Sequence, residues 1–566
     1  MTQGNIFKSM PEAYRRKGWI TAMYVPLRAA LEFISLAALI PVLVIILDSG
    51  WQEQDTVLAG IYRSAGIADE RKFVIWICMA VILVTVVKNV LSLMIMRAQN
   101  SYAMSLYRYF SHAVFTSYCK KGLLFIKSGH SSPLERDVNT VCYMFATGVV
   151  VPAITFAGEA VFMALILGVL AFYSLAGAII LPLCFVPAVW VYAKTVRKKL
   201  EKYGRMENTA RRRQGKTVQE AFRGYAEAET SNAFPVINER FRENLNEISV
   251  LKERSDTVMR IPGAITESAV ALCLVLIVIY GMQDGGAQVL FGVCAVAAMR
   301  ILPSVKSMLG CWAQIKANSY TAEIIASACA APEGPAEEKT PVHERLAFEK
   351  EITIENIVFS FPGRQPVVEN FSAVIKKGER IGIKGVSGIG KTTLFNILLG
   401  LYPLQKGRIS VDGVPVEGKN VRKWQNITGY VPQDVFIADA TLAENVALGS
   451  RQVNTEKVRE ALERVRLLNW ADSLPEGINT RAGEGGCRIS GGQKQRIGIA
   501  RALYRDVSVL FMDEATSALD THTETEVVEA VNAAAQTGLT VLMIAHREST
   551  LRTCDRIIEL ETQHAL

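Results

Sequence analysis

Residues 385–393, GVSGIGKTT, combine three glycines with one lysine and two threonines. Glycines let successive backbone N–H groups turn inward and form a concave anion site, and a helix that follows adds the positive end of its dipole. The pattern G-x-x-x-x-G-K-[ST] is matched by Gly385, Gly390, Lys391 and Thr392. We therefore expect Lys391 to reach the β- and γ-phosphates of a nucleotide and Thr392 to supply a hydroxyl to Mg²⁺.

Two adjacent acids follow an apolar run in VSVLFMDEATSALD (507–520). The run is typical of a buried parallel strand, which would end at Asp513 and Glu514. One carboxylate can hold Mg²⁺ while its neighbour polarises an attacking water molecule.

A second anion-binding turn is predicted in ISGGQKQRIGIARAL (489–503), where Ser490, Gly491 and Gly492 stand at the start of a helix. The chain thus carries two phosphate-binding surfaces for what its other motifs indicate is one nucleotide.

Strand and helix patterns surround the glycine loop. GERIGIKG (378–385) before it is predicted to form a strand, and LFNILLGLY (394–402) after it a helix. This is the strand, loop and helix order that the nucleotide motif requires.

The apolar residues are concentrated in the first 310 positions. A helix needs roughly 20 apolar residues to cross the hydrocarbon layer. The sequence predicts six membrane spans, at about 27–47, 73–96, 149–172, 174–194, 262–281 and 288–309.

Basic residues gather in the loops after spans two and four, as in RRRQGK (211–216), and before span one. The positive-inside bias then places both termini and the C-terminal domain in the cytoplasm. The two cytoplasmic loops, about 97–148 and 195–261, show helical spacing, so the spans are expected to continue as helices beyond the bilayer.

The amino-acid composition argues against nucleic acid as a partner and against zinc or disulfide sites. The net charge of +8 lies beside apolar runs without interleaved aromatic residues, which favours a membrane over nucleic acid as partner. The ten cysteines form no C-x-x-C pair, so neither a zinc site nor a disulfide framework is indicated. We expect a transmembrane domain at 1–327, a linker at 328–346 and a nucleotide-binding domain at 347–566.

The order of these segments resembles the ATP-binding cassette of the ABC transporter family. With six spans ahead of the cassette, the whole chain resembles an exporter-type half-transporter, which implies an all-α six-helix transmembrane domain followed by an α/β P-loop cassette. Short segments, among them MRIPGAITESA (259–269), are similar to bacterial flippases for lipid-linked oligosaccharides.

The resemblance implies roles for individual residues. Glu514, His546 and Gln433 would act in catalysis, and Thr392, Gln433 and Asp513 would hold Mg²⁺. Phe361 stands where the family has an aromatic residue on adenine. The implied nucleotide contacts are Phe361, Gly385, Ser387, Gly388, Gly390, Lys391, Thr392, Thr393, Ser490, Gly491, Gly492, Gln493 and Asp520.

The resemblance also implies a dimer of two copies, because each ATP would lie between the glycine loop of one cassette and the Ser490 turn of the other. The expected function is ATP-driven movement of an amphipathic substrate, such as a lipid-linked oligosaccharide, across a cell's inner membrane. A peptide or drug exporter and a non-transporting nucleotide switch are the alternatives.

Five charged residues are predicted at membrane depth, where each would serve either a substrate or an interhelical ion pair. They are Glu32, Lys88, Glu159, Glu267 and Arg300.

Overall fold

The computed structural model describes residues 10–47, 60, 62–64, 70–128, 131–173, 175–281, 287–329, 344–515, 521–536, 538–545 and 547–560. Contacts divide the chain into two compact units, one of Met1–Lys121 with Phe125–Pro332 and one of Gly122–Leu124 with Glu333–Leu566. The first unit is helical in its described part and the second is an α/β unit, which is the coarse fold expected from the sequence.

The helices up to Cys329 belong to the first unit, except that Gly122–Leu124 count with the second, and several of these helices are long. In chain order these are α1 (Glu12–Ala37), α2 (Ile40–Leu47), α3 (Glu70–Lys120), α4 (Gly122–Ser128), α5 (Ser131–Arg136), α6 (Cys142–Phe145), α7 (Val151–Tyr173), α8 (Leu175–Arg223), α9 (Tyr225–Thr230), α10 (Phe234–Gly281), α11 (Ala287–Ala317) and α12 (Ser319–Cys329). Two π-helical turns, Asp137–Val141 and Ala146–Val150, flank α6.

Spans two, five and six lie within single helices, span one is divided between α1 and α2, and span three begins in the second π-helical turn and continues in α7. The described part of span four lies in α8. Helices α3, α8 and α10 extend far beyond the predicted apolar stretches, as expected. Among the described residues, three stretches are long and apolar enough to cross a membrane. They are Glu12–Val42, Arg71–Lys120 and Pro133–Ala171. The full count of six spans remains a prediction.

The apolar part of α3 exposes a row of large side chains. Ile75, Trp76, Met79 and Leu83 are all at least 60% exposed. A continuous apolar surface of this kind is unfavourable in water and matches the hydrocarbon of a bilayer.

The second unit contains two sheets. Its elements are β1 (Glu351–Ser360), β2 (Pro366–Lys376), β3 (Arg380–Lys384), α13 (Lys391–Leu398), β4 (Lys406–Val411), β5 (Val414–Pro415), α14 (Asn420–Ile427), β6 (Thr428–Val431), α15 (Leu442–Val446), α16 (Thr455–Arg464), α17 (Leu468–Asp472), α18 (Gly491–Tyr504), β7 (Val509–Asp513), α19 (Thr521–Gln536), β8 (Thr540–Ile544), α20 (Glu548–Leu551) and β9 (Arg556–Glu559).

An antiparallel sheet has the strand order β2-β1-β4-β5, and a parallel sheet has the order β6-β7-β8-β3-β9. Every residue of β7 and β8 is buried, because these strands lie inside the parallel sheet and pack on both faces. In a parallel sheet the carboxyl ends of the strands share one edge, where ligands bind. The predicted motifs follow β3, β6, β7 and β8 at this edge.

Candidate nucleotide site

The glycine loop has the backbone that the motif requires. It connects β3, whose three central residues are buried, to the first turn of α13, which begins at Lys391. Gly388 and Gly390 have φ of 86° and 105°, in the left-handed region that favours glycine. A Cβ on Gly390 would lie 2.7 Å from Cγ1 of Val367, so β2 also leaves no room for a side chain there.

Lys391 is only 5% exposed, and its ammonium lies inside the loop. Its Nζ donates hydrogen bonds to the carbonyl oxygens of Gly385 at 2.9 Å and Val386 at 3.2 Å. The charge is therefore held within the loop where the motif predicts the phosphates to bind.

Asp513 ends β7 as a buried carboxylate that is 3% exposed. Burial raises the pKa of Asp513 above its ordinary value, and the neighbouring charge of Glu514 acts in the same direction. A hydrogen bond from the Thr392 side chain opposes this rise in pKa, as does one from the Tyr430 hydroxyl, whose oxygen is 3.4 Å from Oδ2 of Asp513. Thr392 and Asp513, both predicted to hold Mg²⁺, are thus neighbours.

Glu514 and Gln433 are also brought together. The Nε2 of Gln433 donates to Oε2 of Glu514 at 3.2 Å, which joins the end of β6 to the end of β7. The backbone of Glu514 has φ of 49°, which is uncommon for a residue with a side chain, and its N–H donates to the Ile544 carbonyl oxygen at 3.0 Å. Strained backbone of this kind is concentrated at functional sites.

These contacts suit a magnesium ion. Mg²⁺ prefers hard oxygen donors and is commonly held by one or two carboxylates together with substrate phosphates. Asp513 supplies a carboxylate whose charge is costly to bury without a cation, and Thr392 supplies a hydroxyl. No cluster of three or more His, Cys, Asp or Glu side chains suited to a metal occurs among the described residues.

The Ser490 turn forms the start of α18 as predicted. The hydroxyl of Ser490 accepts from the N–H of Gln493, and the side chain of Gln493 accepts from the N–H of Ser490. This capping box fixes the exposed turn at the helix N-terminus. In the described part of the chain these two residues bond to each other and not to the glycine loop.

Of the predicted residues Phe361, Asp520 and His546, the structure describes only Phe361. Phe361 follows β1 and is half-buried, with its ring edge-on to Phe359 at 5.3 Å and to Tyr402 at 6.0 Å between centroids. Asp520 and His546 lie outside the described residues. His546 comes directly after Ala545, which follows the end of β8 at the ligand-binding edge.

Sequence reasoning missed Tyr430 and the pair of Asn445 and Arg501. Asn445 is fully buried and accepts from Arg501, whose Nε lies 2.6 Å from the Asn445 carbonyl oxygen and whose Nη2 lies 3.1 Å from its Oδ1. The signal for Tyr430 was its place in GYVPQD, three residues before Gln433 on a strand beside β7. No local pattern indicated that Asn445 and Arg501 meet.

Comparison with known proteins gives a consistent result. The family model described as "ABC transporter" matches residues 368–517. The chain is 31% identical over 392 residues to an "ATP-dependent lipid A-core flippase" of Francisella novicida, covering 66% of this chain and 64% of that protein. It is 29% identical over 391 residues to a protein of the same name from Dechloromonas aromatica (strain RCB), covering 68% of this chain and 66% of that protein.

These alignments span slightly less than two thirds of the relatives' own length. Among solved structures, a bacterial Atm1-family ABC exporter with ATP bound superposes with a TM-score of 0.79 at 20% identity. The match covers 97% of this chain and 94% of that one. At this identity the likeness establishes the fold.

Proposed function

We propose that this chain, which carries an ABC transporter domain and has the fold of an exporter-type half-transporter, hydrolyses ATP to move an amphipathic substrate across a membrane. The observation that carries the proposal is the meeting of three sequence motifs at one sheet edge. Lys391, Thr392, Asp513, Glu514 and Gln433 come from separate segments and are linked there by the contacts described above. A unit of long apolar helices precedes them in the same chain.

In this proposal the chain's residues position and stabilise charge. Lys391 and the N–H groups of the glycine loop bind the phosphates, while Thr392 and Asp513 hold Mg²⁺, which neutralises phosphate charge when bound. Glu514 accepts a proton from the attacking water, and Gln433 orients its carboxylate. Phe361 provides an aromatic surface for adenine.

Two copies of the chain form the working unit. The Ser490 turn lies exposed at the start of α18, and in one copy it makes no hydrogen bond with the glycine loop among the described residues. A second copy in a closed dimer supplies this turn to the phosphates of the first, and by symmetry receives the same. Asp520 and His546 act at this shared interface and beside the phosphate, as the family resemblance implies.

The proposed cargo is an amphipathic lipid, such as a lipid-linked oligosaccharide. Support comes from the relatives named lipid A-core flippases and from a charged cluster in the first unit. Glu32 on α1 pairs with Arg300 on α11 and with Lys88 on α3, whose Nζ is 3.4 Å from the carboxylate. Arg300 also lies over the ring of Phe162, 5.3 Å from its centroid.

This cluster is an interhelical pairing, and it also has one cation more than it has carboxylates. A phosphate or pyrophosphate headgroup can therefore bind Arg300 by a charge-assisted contact while Lys88 keeps Glu32 paired.

We expect Arg300→Ala to lower ATPase stimulation by a lipid-linked oligosaccharide several-fold and to leave basal activity intact. Arg260→Ala, an exposed site on α10, is the matched control. Equal stimulation in both variants would exclude Arg300 from the binding site.

The decisive test is ATP-dependent translocation in proteoliposomes that contain the purified chain. A lipid-linked oligosaccharide, a phospholipid, a hydrophobic peptide and a cationic drug are offered separately, with Glu514→Gln protein as the control. Movement of the lipid-linked compound supports the proposal, whereas movement of only the peptide or drug supports the exporter alternative. Hydrolysis without movement of any compound would favour the nucleotide switch.

The proposed location is a cell's inner membrane, with both termini and the cassette in the cytoplasm. The basic residues that flank the predicted spans support this orientation. Protease digestion of sealed inverted vesicles tests it, because the cassette should then be cleaved without detergent.

A further inference from the structure

A cavity of about 730 Å³ lies in the first unit between α1, α3 and the segment Phe145–Ala157. Its volume is within the range of sites that bind small molecules. Its lining residues do not include Glu32, Lys88 or Arg300, so it is separate from the charged cluster of the proposed transport pathway.

The cavity exists because small residues line facing helices. Gly18 and Ala22 on α1 oppose Ala153 and Ala157 on α7, where larger side chains would fill the space. Most of the other lining residues are apolar, such as Val25. A guest must therefore present hydrocarbon to most of the wall, because polar groups buried there would lack partners.

The cavity has a single cationic lining residue among those described. Arg15 lines it, and Arg16 and Lys17 follow directly in the sequence. None of the lining residues that the structure describes is acidic. Trp19, which also lines the cavity, is 76% exposed, and an exposed tryptophan beside basic residues is typical of the membrane interface.

A polar group adjoins the apolar wall. The ring of Tyr102 lines the cavity and is 6% exposed, and its hydroxyl has no hydrogen-bond partner within the described chain. A buried hydroxyl without a partner is destabilising. An ester oxygen near the head of a lipid acyl chain would supply the acceptor that the hydroxyl lacks.

We propose that this cavity binds one acyl chain of an anionic glycerophospholipid, with the lipid phosphate at Arg15. The lipid is a resident ligand from the surrounding leaflet and is not the transported substrate. The inference rests on the proposed membrane location. It also agrees with the proposed cytoplasmic position of the N-terminus, because the cytoplasmic leaflet is the anionic one.

The test is native mass spectrometry of the full chain in detergent, after titration with phosphatidylglycerol or phosphatidylcholine of identical acyl chains. We expect phosphatidylglycerol to be retained preferentially. Arg15→Gln should weaken its retention about five-fold, as for loss of one basic contact to an anionic lipid, and Arg16→Gln should change it much less. Ala153→Phe should reduce retention of both lipids by filling the cavity, and Ala153→Leu should do so to a smaller extent.

Three results would overturn the proposal. Equal effects of Arg15→Gln and Arg16→Gln would indicate diffuse surface charge, and unchanged retention in both Ala153 variants would place the lipid elsewhere. A lower dimer fraction in the Ala153 variants with unchanged lipid retention would assign the cavity to a helix of the second copy. The ATPase activity of Arg15→Gln protein should equal that of the unmodified protein. If both proteins hydrolyse ATP and lipid retention fails as above, the lipid proposal is wrong and the proposed function stands; if neither hydrolyses ATP, the proposed function itself is wrong.

Discussion

Glu514 occupies a backbone conformation that side chains rarely adopt, with φ of 49°. Its N–H bond to the Ile544 carbonyl oxygen fixes this turn, and the amide of Gln433 fixes the carboxylate at 3.2 Å. The strain is maintained because it directs the carboxylate out of the β7 end towards the ligand edge.

We expect Glu514→Gln to lower steady-state ATP hydrolysis by at least about 100-fold, because an amide cannot accept the proton of the attacking water. Nucleotide binding should persist, since Gln433 and the glycine loop are unchanged. The measurement is phosphate release beside equilibrium binding of a fluorescent ATP analogue.

Glu456→Gln is the matched control for this substitution. Glu456 is exposed in the first turn of α16 and should tolerate the same change without loss of activity. Normal turnover in Glu514→Gln protein would remove Glu514 from the role of base.

For single residues, the sequence predicts the position of those site residues that belong to contiguous motifs. Asp513 and Gln433 each follow an apolar run that places them at a strand end, and Lys391 follows the glycine loop at the start of a helix. Tyr430 and the Asn445–Arg501 pair could not be predicted in the same way, since their contacts depend on which strands and helices become neighbours. The geometry around Asp520 and His546 stays a prediction.

Helix α18 is tied at its far end to the segment that follows Gln433. Arg501 forks onto the carbonyl and side-chain oxygens of Asn445, and Asn445 in turn bonds the backbone of Ala438 in both directions, at 2.9 and 3.0 Å. The Ser490 turn and the Gln433 segment are therefore mechanically connected through one buried amide.

We expect Arg501→Met to destabilise the cassette by about 1–3 kcal/mol, because the carbonyl oxygen of Asn445 loses its bond from Arg501 and Oδ1 keeps only the N–H of Ala438 as donor. The apparent unfolding midpoint of the full chain should fall by roughly 2–4 °C for each kcal/mol. Differential scanning fluorimetry with excess MgATP provides the measurement.

Arg451→Met, at an exposed position, is the control for lost charge. Arg501→Lys should be intermediate, since one ammonium cannot reproduce the fork. An unchanged midpoint in Arg501→Met protein would show that water replaces the lost contacts.

Asp555, directly before the edge strand β9, forms an ion pair with Arg380 at the start of β3. The contribution of this pair to the stability of the cassette depends on pH. Asp555 accepts from the backbone N–H of Arg380 at 2.9 Å and from its guanidinium at 2.7 Å. The side-chain bond from Arg380, followed by the backbone bond, lowers the pKa of Asp555 below its ordinary value. A lowered carboxyl pKa contributes stability above the unfolded pKa of about 3.9, and this contribution is lost as the pH falls through the folded value.

We therefore expect Asp555→Asn to lower the unfolding midpoint at pH 7 and to have progressively less effect as the pH falls below about 4. The measurement is the difference in unfolding midpoint between the two proteins across this pH range. A difference that is constant with pH would contradict a charge-based role for Asp555.

Elements with a long pattern are those that sequence predicts best. The parallel strand ending at Asp513 and the helix starting after Ser490 are confirmed, as is the continuation of α3, α8 and α10 beyond the apolar stretches. The first predicted span is interrupted between α1 and α2, after Ala37, although apolar residues continue on both sides of the break. Hydropathy reports burial in lipid and carries no information on where a helix breaks.

In the proposed dimer, each nucleotide site takes the glycine loop from one copy and the Ser490 turn from the other. The whole molecule therefore needs two chains to complete either site. A copy with Lys391→Ala lacks the positive charge that binds phosphate in the glycine loop. A copy with Ser490→Arg carries a bulky side chain on the turn that would contact the nucleotide of the partner copy. Each variant alone should be inactive as a homodimer, because both of its composite sites are damaged.

Co-expression of the two variants should restore activity, because a mixed dimer places both defects in one site and leaves the other intact. Random pairing makes half of the dimers mixed, so about a quarter of the unmodified activity is expected. Lys391→Ala co-expressed with the double variant Lys391→Ala/Ser490→Arg is the control, since no pairing of these chains yields an intact site. Recovered hydrolysis in the first mixture and not in the control would require that the two copies share each nucleotide. Absence of recovery, in mixed dimers verified by two affinity tags, would mean that each cassette hydrolyses ATP with its own residues alone.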